Sequence, residues 1–124
     1  MKFAKWVFIL AAVWGFLTVT PLYLAENAIA QRYGPLTYPE WYYGMVTIIV
    51  VFQLLYLLIG RDPVRLRPVM PVAILGKVGF ASTLWTLYAL GRTPLQTTLS
   101  GSPDLIWAVF FIIAYRRTAP QKPS

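Results

Sequence analysis

The sequence predicts an all-α membrane protein, a bundle of four transmembrane helices with the N- and C-termini cytoplasmic. Three observations lead there. Of 124 residues, 58% are hydrophobic and only 12% charged, with a mean hydropathy of +0.61, whereas about a quarter of a soluble domain is charged. The apolar residues fall into four runs separated by polar turns rich in proline and glycine. The cations stand at the ends of those runs, and they crowd onto alternate ends.

A chain of this length forms one domain, placed at residues 1–118 and followed by a disordered tail at 119–124. Lys2 and Lys5 precede the first run, Trp6 to Leu24, about the length a spanning helix needs. Thr18 and Thr20 can bond back to the helix, and Pro21 is placed to kink its end. A rival reading makes this run a cleaved secretory signal ending at Ala28-Ile29-Ala30. The run exceeds the roughly 7–15 apolar residues of such signals, and Tyr23 sits at its end. The segment Glu26–Gly34 is then a short amphipathic or irregular piece on the outer side.

Pro39 suits a first helical position and Glu40 a first turn, where an anion complements the helix dipole. With the aromatics Tyr38, Trp41, Tyr42 and Tyr43 at an interfacial belt, the second span is expected over about 41–60. The basic loop Arg61–Pro68 follows. The third span is expected over 71–91, where Gly76, Gly79, Ala81 and Ser82 would let another helix approach closely. The fourth is anomalous. From Asp104 to Arg116 a helix covers about 18 Å of a hydrocarbon layer about 30 Å thick. Either it starts near Leu95 and kinks at Pro103, giving a span of 95–115, or a short helix begins inside the bilayer; both bring Asp104 into the membrane.

Orientation follows from charge. With the N-terminus inside, the cytoplasmic side collects Lys2, Lys5, Arg61, Arg65, Arg67, Arg116, Arg117 and Lys122, and the outer side only Arg32 and Arg92. That obeys the positive-inside rule and predicts a multi-pass protein of a cell inner membrane. The same positions argue against nucleic acid as a partner despite a formal charge of +7, because nucleic-acid binders gather Lys and Arg on one face or stripe. With no cysteine and no histidine, disulfides, thiol chemistry and His-based acid–base catalysis are excluded, and neither a metal nor a cofactor is expected.

Charges inside a span are costly and therefore functional candidates. Lys77 stands about 15 Å above the cytoplasmic interface, Asp104 about 18 Å and Gln53 about 12 Å, counted along helices. These three form one polar layer on three helices, within which Lys77 and Asp104 can pair. Against this, lysine can snorkel toward the headgroups, and Asp104 after Ser102-Pro103 can simply open a helix. Glu26 and Glu40 lie near the outer interface, either as the rim of a cavity or as solvated helix-end charges. Arg61, Arg65 and Arg67 determine topology and can hold anionic lipid headgroups. Trp14, Trp85 and Trp107 are read as packing or belt residues.

Three stretches together, Thr37-Tyr38-Pro39-Glu40-Trp41-Tyr42-Tyr43-Gly44, Arg61-Asp62-Pro63-Val64-Arg65-Leu66-Arg67-Pro68, and Asp104 with Ala114-Tyr115-Arg116-Arg117-Thr118, resemble an uncharacterised group of small bacterial four-helix integral membrane proteins. In that group an acid commonly precedes the third-span lysine and a His often precedes Pro-Glu; here Gly76 and Tyr38 stand there. The resemblance implies a bacterial inner-membrane four-helix protein and no particular activity. A looser likeness to DoxX-type proteins is architectural. The expected function is non-catalytic binding of a membrane lipid, another hydrophobic small molecule or a membrane-protein partner. The alternative is a small transporter, working as a homodimer, that uses an Asp104–Lys77 pair; the first span holds no acid that could replace it. An enzyme would have only Glu26, Glu40, Asp104 and Lys77 to draw on.

Overall fold

A computed structural model describes residues 2–120, and every regular element among them is helical. Four segments, Lys2–Leu24, Pro39–Arg61, Arg67–Ala89 and Leu95–Arg117, are long and apolar enough to cross a membrane. At 23 residues each, they extend about 34 Å. Large apolar side chains such as Leu17, Trp41 and Leu75 are exposed around the outside, the pattern of a bundle whose surroundings are themselves apolar.

Helix α1 (Lys2–Val19) passes into a 3-10 turn, Thr20–Leu24, where Pro21 supplies no N–H to continue the α pattern. Thr18 donates its hydroxyl to the Trp14 carbonyl at 2.8 Å, as expected of a threonine inside an apolar helix. Helix α2 (Glu26–Tyr33) is the short piece that follows this turn, and it ends on Gly34, whose φ of 90° favours glycine. Helix α3 (Pro39–Arg61) starts with proline in its first turn and Glu40 beside it. The loop after it closes with a 3-10 turn, Arg67–Val69, before α4 (Met70–Ala89).

The fourth span resolves the anomaly of the short last run. It is two helices, α5 (Leu95–Gly101) and α6 (Pro103–Arg117), broken at Ser102. Pro103 lacks the N–H that would reach the Leu99 carbonyl, and the Ser102 N–H takes that carbonyl at 3.2 Å instead. The helix therefore starts at Leu95 and is interrupted above Asp104. Of the tail expected at 119–124, residues 121–124, with Lys122, lie outside the described residues.

Packing is uneven along the bundle. The buried core gathers Ala4, Phe8 and Ala11 of α1, Tyr56 and Ile59 of α3, Met70 and Ala73 of α4, and Phe111 and Ala114 of α6. Phe8 stacks on Phe111 at 4.3 Å, and Tyr56 meets Phe111 edge-on at 5.2 Å. These residues come from the start of α1, the end of α3, the start of α4 and the end of α6, so all four elements converge at one end. Lys2, Lys5, Arg61, Arg65, Arg67, Arg116 and Arg117 belong to that same end: Arg67 bonds the Tyr115 carbonyl and Arg117 lies over the Phe3 ring. The expected small residues of α4 divide: Ala81 is fully buried and a Cβ at Gly76 would fall 3.3 Å from Phe52 Cε1, while Gly79 and Ser82 are exposed, and the tightest approaches use Gly15, Gly60 and Gly101. A Cβ at Gly60 would fall 2.7 Å from Ile9 Cγ1, whereas one at Gly79 would meet nothing within 4 Å. Gly79 therefore faces outward, and the small residues are needed where α1 meets α3, at Gly15 and Gly60, and where α5 meets α4, at Gly101.

Candidate functional site

Away from the basic end the helices stop filling the space between them. They enclose a cavity of ≈ 700 Å³ with a largely apolar wall and a polar base. Trp14, Met45 and Ile48 in its wall remain 45%, 41% and 60% exposed, so it is open, not sealed. Lys77, Asp104 and Gln53, from α4, α6 and α3, all line it.

Lys77 is carried by α4, whose apolar residues otherwise run on all sides of the helix. Its ammonium donates to Asp104 Oδ1 at 3.2 Å, with the two side chains 6% and 23% exposed. This is the one ion pair among the described residues. The ammonium also lies 5.2 Å from the centroid of the Tyr56 ring, within cation–π range. The lysine thus points inward and does not snorkel. Asp104 owes its position to the break at Ser102-Pro103, which places it in the first turn of α6 at cavity depth. Trp85 Nε1 donates to Ser102 Oγ at 3.1 Å, and Ser102 Oγ donates to the Thr98 carbonyl at 2.8 Å, so the break is tied to both α4 and α5.

Gln53 is only 2% exposed. Its Nε2 donates to the Ile49 carbonyl at 2.9 Å, and its Oε1 is the one buried side-chain polar atom among the described residues without a partner. The bond to Ile49 fixes which end of the carboxamide is which, since a carbonyl can face only the NH₂ group. Room for this side chain comes from Gly15 on α1, where any Cβ would overlap the Gln53 carboxamide.

Glu26 and Glu40 are at the opposite end from Arg61, Arg65 and Arg67, but neither lines the cavity. Glu26 accepts a hydrogen bond from Tyr43, while Tyr42 donates to the Leu22 carbonyl at 2.7 Å, so the two tyrosines tie α2 and the turn after α1 to α3. Glu40 is exposed at the start of α3. At the other end, Arg61 and Arg65 are exposed. Arg67 is occupied: its Nε donates to the Tyr115 carbonyl at 3.0 Å, and its guanidinium lies 3.8 Å from that ring's centroid. It fastens the central loop to the C-terminal turn of α6, where a cation also offsets the helix dipole.

Two contributors were not singled out from the sequence. Tyr56 stands three residues after Gln53, on the same helical face, and that spacing was the available signal. Gly15 had no comparable signal, because one glycine in an apolar run looks the same whether it faces a partner or the surroundings. No family model, curated protein or solved structure matches this chain.

Proposed function

We propose that this chain is a multi-pass protein of a bacterial inner membrane, crossing it four times with both termini and the central loop in the cytoplasm. In that membrane it binds a lipid or another hydrophobic small molecule, without catalysis, in the cavity above the Lys77–Asp104 pair. Support for the orientation comes from the seven cations Lys2, Lys5, Arg61, Arg65, Arg67, Arg116 and Arg117 on one end, against Arg32 and Arg92 on the other.

The observation that carries the binding role is the cavity itself. Its ≈ 700 Å³ falls within the roughly 300–1,000 Å³ of ligand pockets, which combine apolar walls with a few placed polar groups. A lone stabilising pair would need no such space beside it. Native mass spectrometry of the chain extracted in mild detergent tests the role. A retained lipid or small molecule is the expected result, and a bare chain in every preparation would refute it.

A second reading draws on the same pair. A buried lysine against a cavity-facing aspartate is an arrangement that a proton relay in a small dimeric transporter would use. Substrate-driven proton flux in liposomes, abolished by Asp104→Asn, would favour transport over binding; equal flux in both proteins, or none, would remove it.

A further inference from the structure

The polar base of the cavity carries more information than its size, and it bears on the ligand's head. Resting on the binding role proposed above, we propose that the cavity takes an amphiphile with an uncharged, hydroxyl-bearing head. The head sits at Lys77 and Asp104, and the chain lies along Trp14, Met45 and Ile48.

Three features converge on this class. First, the Lys77 ammonium donates to Asp104 alone, which leaves two of its three hydrogens for an acceptor in the cavity that Lys77 lines. A ligand oxygen that accepts there gains a bond that the protein alone does not make. Second, Asp104 engages Lys77 through Oδ1 only, so Oδ2 is a further acceptor on a side chain that is 23% exposed. Third, Lys77 and Asp104 together carry no net formal charge. A carboxylate or phosphate head would set a second anion beside Asp104, and an ammonium head a second cation beside Lys77, each in a poorly screened site. A hydroxyl adds no charge. It donates to Asp104 Oδ2, and it accepts one of the two ammonium hydrogens that Asp104 leaves free.

The test varies the head and holds the chain constant. Monooleoylglycerol, oleic acid, oleylamine and methyl oleate are titrated into the full chain in mild detergent, with bound ligand read by native mass spectrometry. Monooleoylglycerol is expected to bind about tenfold or more tightly than methyl oleate, which can accept but not donate. Oleate or oleylamine binding best, or four equal affinities, would overturn the head-group assignment and leave the binding role standing. Binding of none of the four would count against both.

Discussion

Removing one member of the Lys77–Asp104 pair should cost far more than removing both. At 3.2 Å and an effective dielectric of about 20, the two charges attract by about 5 kcal/mol. Most of that offsets the cost of taking them out of water, which is why such pairs contribute little net stability while their halves are expensive to strand. The two halves are not equivalent. Lys77 is 6% exposed and Asp104 23%, so a stranded ammonium has less access to water than a stranded carboxylate. We expect Asp104→Leu to destabilise by about 3 kcal/mol, the low end for an unpaired buried charge. Lys77→Met should cost about 1–2 kcal/mol, because water entering the cavity can solvate the carboxylate that remains. The double variant should lie within about 1 kcal/mol of wild type, since similar apolar volume replaces both groups. Unfolding by sodium dodecyl sulfate in mixed micelles, followed by tryptophan fluorescence and circular dichroism, gives all four corners of the cycle. Additive single effects would show that the two side chains are neighbours without being energetically coupled.

Gly15→Ala should destabilise by about 1–3 kcal/mol, the range for overpacking, because its methyl would overlap the Gln53 carboxamide; adding Gln53→Ala should restore most of that loss in the same unfolding assay, and a Gly15→Ala variant of wild-type stability would refute the packing. Arg67→Lys keeps the charge but loses the Nε bond to Tyr115 and the stacked guanidinium. It should cost about 1–2 kcal/mol, whereas Arg65→Lys, exposed in the loop, should be neutral within about 0.5 kcal/mol. Arg65→Cys in the otherwise cysteine-free chain should react with a membrane-impermeant maleimide only after the cells are opened; labelling of intact cells would reverse the proposed orientation.

The four apolar segments were legible in the sequence because a run of about 20 apolar residues ended by cations has few other stable fates. Lys77, Asp104 and Gln53 could be placed at similar depths for the same reason, since rise per residue is constant along a helix. Rotation was not legible. The apolar residues of α4 and α6 are spread around each helix, so no amphipathic stripe says which way Lys77 or Asp104 points. Only the packed structure sets that angle, through glycines that admit close contact, the aromatic cluster at the basic end, and the break at Ser102-Pro103. The unpartnered oxygen of Gln53 and the cavity beside it lie still further from sequence. They are features of the space between helices, and composition alone does not say how completely four helices fill it.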